Sequence, residues 1–128
     1  MDVDWTLVPD NWQMELRLRE VRNKLLKEKL LAGETVCYRS SGWSLWPRVS
    51  CGDMTTYRPV YSADDVKIDD IVFCEVQPGS RFYAHVVKEK RWDNWDEKYK
   101  FTISNINGYE NGHCHIEHIH GTLIEVVS

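Results

Sequence analysis

The residues best suited to chemistry are one serine and one histidine, well separated along the chain. Ser44 lies in Gly42-Trp43-Ser44-Leu45-Trp46-Pro47, just after a stretch of strand-forming residues. Pro47 keeps Trp46 out of helical geometry, so the hexapeptide bends. A serine on such a bend presents its hydroxyl outward and leaves its own N–H free to face an oxyanion. That hydroxyl is a weak nucleophile until a neighbouring base takes its proton. His85, in Phe82-Tyr83-Ala84-His85-Val86-Val87, can be that base. An imidazole titrating at about 6.5 accepts a proton near neutrality and returns it to a leaving amine. Strand alternation sets Tyr83, His85 and Val87 on one face and Ala84, Val86 and Lys88 on the other, so Lys88 does not stand in for His85.

A second concentration of chemistry runs from Gly112 to His120, where His113, His115, His118 and His120 surround Cys114 and Glu117. Histidines two apart on a strand can share a metal such as zinc, with Cys114 or Glu117 as a further ligand. The spacing matches no usual zinc motif, and Ile116 and Ile119 read as core positions. A metal is therefore the lesser reading, solvent-facing polar positions the greater, and no cofactor is implied. Trp5, Trp12, Trp43, Trp46, Trp92 and Trp95 read first as core and lid residues. An aromatic platform for a peptide or a nucleobase is the lesser reading of them, the acidic balance making the nucleobase the weaker half.

These residues need elements to position them. Residues 11–31 carry the one strong helical pattern: Met14, Leu18, Val21 and Leu25 step by four, three and four, and Leu26 and Leu30 widen the stripe. Asn11 is suited to cap its start and Gly33 to close its end. The stripe predicts packing against a sheet, with docking of a partner or a second copy of the chain as the alternative. After Gly33 the texture turns to short β-rich runs, and strands are predicted over 35–39, 54–58, 70–76, 82–88, 99–104, 114–118 and 122–127. Gln77-Pro78-Gly79-Ser80 suits a hairpin turn, 64–68 a single helical turn, and 91–98 a longer hairpin loop. The fold class predicted is mostly β, in antiparallel strands, with an N-terminal segment and helix over 1–31 and a β-domain over 32–128.

The 128 residues suffice for a single core. A net charge of -4 argues against binding nucleic acid by phosphate neutralisation. No apolar run approaches the roughly 20 residues that cross a bilayer. The acidic start, Met1-Asp2-Val3-Asp4, lacks the marks of a secretory signal. Cys37, Cys51, Cys74 and Cys114 are irregularly spaced with no C-x-x-C pair, so free thiols in a reducing compartment are expected. A soluble, cytoplasmic protein is the expectation.

The serine box resembles the G-x-S-M-x-P box of the signal-peptidase/LexA-like serine peptidases, with Leu45 where the family has Met. The likeness continues in order through Gly52-Asp53, through Val66-Lys67-Ile68-Asp69-Asp70-Ile71-Val72 with Asp69 in place of a glycine, and through the strand of His85. It closes at Asn111-Gly112 and Ile119-His120-Gly121-Thr122-Leu123-Ile124, and so covers residue 32 to the C-terminus. The family places lysine or, in its archaeal and endoplasmic-reticulum signal peptidases, histidine at the position of His85. The resemblance implies a serine endopeptidase with a Ser44–His85 dyad, with Gly42, Trp43, Leu45, Trp46, Pro47 and Tyr83 around the substrate cleft. His-type members carry an acidic residue where this chain has Ile103-Ser104-Asn105-Ile106-Asn107-Gly108, so the resemblance leaves Asn105 or Asn107 to orient the imidazole. Self-cleavage at Ala32-Gly33, a LexA-like habit, is opposed by the short chain left between Gly33 and Ser44. The alternative to an enzyme is an inactive member that keeps the cleft as a peptide- or protein-binding module.

Overall fold

A computed structural model of the chain describes residues 12–77 and 81–128, with side chains from Arg17 onward. Helix α1 (Trp12–Leu31) is followed by seven strands: β1 (Val36–Arg39), β2 (Met54–Pro59), β3 (Ile71–Val76), β4 (Arg81–Asp93), β5 (Lys98–Ser104), β6 (Glu110–His115) and β7 (Ile119–Val127). They form one sheet in the order β1-β2-β7-β3-β4-β5-β6, antiparallel throughout. Asn11, the expected helix cap, and Pro78-Gly79-Ser80 of the expected turn lie outside the described residues. The helix ends as Gly33 allows: at φ 87°, Gly33 N–H donates to Leu30 O and Glu34 N–H to Lys29 O, which satisfies two carbonyls the last turn would otherwise leave open.

The sheet curls because its register slips four times, between Thr56 and Tyr57, Phe73 and Cys74, Val87 and Glu89, and Ile103 and Ser104. Bulges of this kind bend a strand and increase its twist. The curl brings β6 back to the end of β3, where Gln77 and His113 exchange both backbone hydrogen bonds, 2.9 and 3.0 Å long. Strands β3 to β6 thereby close into a small roll. Gly112, at φ 147°, makes the closure possible: a Cβ there would stand 2.1 Å from Gln77 O.

Two apolar clusters fill the two faces of this sheet. Leu26, Leu30, Val36, Leu45, Val49, Tyr57, Ile71, Phe73 and Val86 pack beneath the helix. Val66, Val72, Cys74, Val76, Val87, Phe101, Ile103, Cys114 and Ile119 pack on the other face, within the roll. Strand β3 serves both, with Ile71 and Phe73 in the first cluster and Val72, Cys74 and Val76 in the second. This explains its continuous apolar run from Ile71 to Cys74.

The helix packs through a different face from the one its apolar stripe predicts. Leu26 and Leu30 are buried, but Leu18, Val21 and Leu25 are 62%, 65% and 49% exposed. Leu30 seats on Gly121 of β7, where an added Cβ would meet its Cδ1 at 3.0 Å. Burying each leucine contributes roughly 1.5–3 kcal/mol, so two suffice to hold the C-terminal half of the helix on the sheet. Strand β4 runs five residues past its expected end, to Asp93, and shortens the loop to β5. Strand β6 begins at Glu110 and ends at His115, so Ile116–His118 form a 3-10 turn where a strand is predicted.

Candidate functional site

Ser44 is carried on the long connection between β1 and β2. Backbone and side-chain bonds close the base of that connection: Ser40 N–H donates to Asp53 O, Gly52 N–H to Ser40 O, Ser40 Oγ to Ser50 O, and Ser50 N–H to Asp53 Oδ2. Gly42 and Gly52, at φ 80° and 90°, make the two reversals. Leu45 and Val49 plug the loop into the core beneath the helix. Ser44, next to the plug, stays exposed. Its carbonyl accepts Ile106 N–H at 3.5 Å, which ties the serine loop to the turn after β5.

His85 lies on β4 opposite Val72 of β3 and is buried. Its ring sits 4.9 Å from that of Tyr83, and Nδ1 is 2.6 Å from Ala84 O. A carbonyl can only accept, so Nδ1 carries the proton and Nε2 keeps its lone pair. Burial lowers the His85 pKa, against the opposing effect of the Ala84 bond. The imidazole is thus neutral near pH 7, with the protonation a general base needs.

Ser44 and His85 line one cavity of about 240 Å³, with Gly42, Leu45 and Tyr83 of the expected cleft. The two side chains are not hydrogen-bonded to each other. Their surroundings differ as well. Phe82, Ala84 and Val86 of β4 pack with Leu45 and Val49, whereas Tyr83 and Val87, which share His85's strand parity, belong to the cluster on the other face. Three members of the expected cleft fall elsewhere. Trp43 and Trp46 are 64% and 57% exposed, and neither they nor Pro47 line the cavity, because Leu45 between them takes the inward position.

Asn105 follows Ser104, which pairs with Val86 of β4, but is engaged in its own turn: its Oδ1 accepts N–H bonds from Asn107 and Tyr109, each 2.9 Å long. Asn107 is exposed. The group holding the His85 tautomer is therefore the Ala84 carbonyl, which no sequence motif could reveal. Lys88 is directed away, to Gly108 O at 3.0 Å and Glu110 at 3.3 Å.

The four histidines of the C-terminal region separate. His113 pairs its backbone with Gln77, and His118 ends the 3-10 turn. His115 approaches Asp93 and Asp96 at 3.4 Å, and among the described residues these three form the group with metal-ligand spacing. Asp93 Oδ1 already accepts the N–H groups of Trp95 and Asp96, so this carboxylate has a structural duty in the β4–β5 turn. His120 donates from Nε2 to Glu75 at 2.7 Å, and Lys27 of the helix reaches the same oxygen at 2.9 Å. His120 Nδ1 is buried with no partner among the described residues, so protonation there is penalised. Burial accordingly lowers the pKa of His120 despite Glu75. Glu75 is raised by its own burial, but Lys27 and His120 outweigh that and hold it below its ordinary value.

The sequence pattern missed the other wall of the Ser44 cavity. Arg19, Arg22 and Asn23 of the helix and Tyr38 of β1 line it. The signal was available in the helical spacing: Arg19, Asn23, Leu26 and Leu30 lie on one face, so burial of the two leucines turns the polar pair inward. Among the described residues no helix is long and apolar enough to cross a membrane. No family model, curated protein or solved structure matches the chain.

Proposed function

We propose that this protein is a peptide-binding β-domain of the signal-peptidase/LexA-like type that hydrolyses peptide bonds with Ser44 and His85. The observation carrying the proposal is the shared cavity: an exposed serine on a doubly pinned loop and a neutral, tautomer-fixed histidine both line it. In the reaction, His85 Nε2 takes the proton of Ser44 Oγ as Oγ attacks the scissile carbonyl carbon. The same proton then passes to the departing amine, and a water molecule repeats the sequence to release the acyl group. The Ser44 N–H, for which the described residues hold no acceptor, is the first candidate donor to the oxyanion.

The second reading, a binding module without hydrolysis, is favoured by one observation. Ser44 and His85 make no mutual hydrogen bond, and the histidine ring packs at a tilt against Tyr83 instead, 4.9 Å between ring centres. Apo enzymes do show long catalytic distances that tighten when substrate binds. Reaction of Ser44 with a serine-directed phosphonate, measured as an adduct by mass spectrometry, separates the two. Labelling that depends on His85 supports the hydrolase, and inert Ser44 in a folded protein supports the module.

A further inference from the structure

The wall opposite Ser44 holds two guanidinium groups and no carboxylate. Arg22 is the more enclosed. Its Nη2 donates to Asn23 Oδ1 at 3.1 Å, and its Cζ lies 4.6 Å from the centre of the Tyr38 ring. Its Nε–H is buried with no acceptor among the described residues. Burial lowers its pKa, Tyr38 opposes this, and Arg19 adds to it. A guanidinium cannot escape this cost by losing its proton in water at neutral pH. The two guanidinium groups lining the cavity are best balanced by an anion within it.

The orientation of the helix makes the same point. Leu18, Val21 and Leu25 are exposed while Arg19, Arg22 and Asn23 face the cavity. Packing alone would favour the reverse. The other lining residues include the aromatic rings of Tyr38, Tyr57, Phe73 and Phe82. At about 240 Å³ the space is smaller than a typical small-molecule pocket and suits one side chain of a bound peptide.

We propose that this cavity receives a carboxylate carried by a peptide, either an acidic side chain or a chain terminus, paired with the guanidinium groups of Arg22 and Arg19 that line it. The proposal deepens the peptide-cleft reading above and rests on it for the peptide, but not for hydrolysis. Arg22 is then the specificity-determining residue of the site, and the aromatic lining packs the methylene portion behind the carboxylate.

The test follows the Arg22 Nε–H resonance in proton–nitrogen spectra of the full chain during titration with three small probes. N-acetyl-glutamate α-amide carries only a side-chain carboxylate, N-acetyl-glutamine only a terminal one, and N-acetyl-glutamine α-amide carries neither. A saturable shift with one or both acids and none with the neutral amide is expected, and the acid that shifts it identifies the source. Arg22→Gln, followed through the backbone amides of Asn23 and Ser44 in the same spectra, should weaken that binding about tenfold or more, the effect of losing a charge-assisted interaction. Should Arg22→Gln fail to fold, the exposed Arg19→Gln provides the second variant and should weaken binding measurably. Equal response to the neutral amide, no saturable shift with either acid, or unchanged binding in folded Arg22→Gln overturns the proposal. Acid binding with an inert Ser44 defeats only the hydrolase, and phosphonate labelling without acid binding defeats only the carboxylate site.

Discussion

Two buried or half-buried cations, one on each side of the sheet, show how differently the two regions are built. Lys90, on the roll side, lies 4.9 Å from the Tyr99 ring centre and donates to Ala63 O and Val66 O at 2.7 and 3.0 Å. Arg22, on the helix side, also lies over a tyrosine, yet its Nε–H has no acceptor among the described residues. The roll satisfies its cation and fixes a loop with it. On the cavity side Arg22, Ser44 and His85 line one space. The roll's cation is bound into the structure, and the cavity's lies in the same lining as Ser44 and His85.

The largest effect is expected where the roll is densest. Phe101 is fully buried, and Phe101→Ala should lower unfolding free energy by about 3–5 kcal/mol in urea denaturation. Ser44→Ala, at an exposed position, should stay within about 0.5 kcal/mol of the parent. If the two variants lose similar stability, the division between roll and cavity is wrong.

A slightly smaller loss is expected at the seam of the roll. Gly112→Ala would put a Cβ 2.1 Å from Gln77 O in a backbone conformation that L-residues rarely adopt. The strain should cost about 3 kcal/mol and speed amide exchange at Gln77 and His113 first. Uniformly unchanged exchange would show that this pairing does not close the roll.

The pH dependence gives the smallest and most distributed effect. His85 and His120 both have lowered pKa values in the folded chain, chiefly through burial. Between that lowered value and the unfolded value of about 6.5 the unfolded chain binds more protons, so stability rises with pH there. The contribution is full above about 6.5 and is lost as pH falls through the folded value. Melting temperature should therefore drop between pH 7.5 and 5.5. His120→Gln, which keeps a donor for Glu75 and cannot titrate, should flatten part of that slope. A melting temperature that rises on acidification contradicts the burial of these rings.

The strands were legible because their alternation and β-branched residues survive in the local sequence, and β3 was found even though both its faces are buried. The orientation of the helix was not legible. Its apolar stripe through Leu18, Val21 and Leu25 is a real periodicity, but the sheet covers only the turns around Leu26 and Leu30, and the cavity demands polar residues on the inward face just before them. The end of β6 was misplaced for a related reason. Ile116 is apolar enough for a strand, while the 3-10 turn is imposed by the closure of the roll at His113. The motif singled out Ser44 and His85, but that both line one cavity follows only from the fold. The hydrogen bond that fixes the His85 tautomer was not legible, because its acceptor is a backbone carbonyl. Nor was Arg22, whose isolation depends on what lies around it in space.

The most direct test of the central claim is the rate at which a serine-directed phosphonate modifies Ser44, followed across pH in the parent chain and in His85→Ala. A hydrolase with His85 as base predicts one adduct per chain at Ser44, with a rate that falls only below the ordinary imidazole range. It also predicts a loss of about 100-fold or more in His85→Ala, in keeping with the usual contribution of a general base. An adduct rate that is the same in both proteins, or no adduct at Ser44 while the protein remains folded, would contradict it.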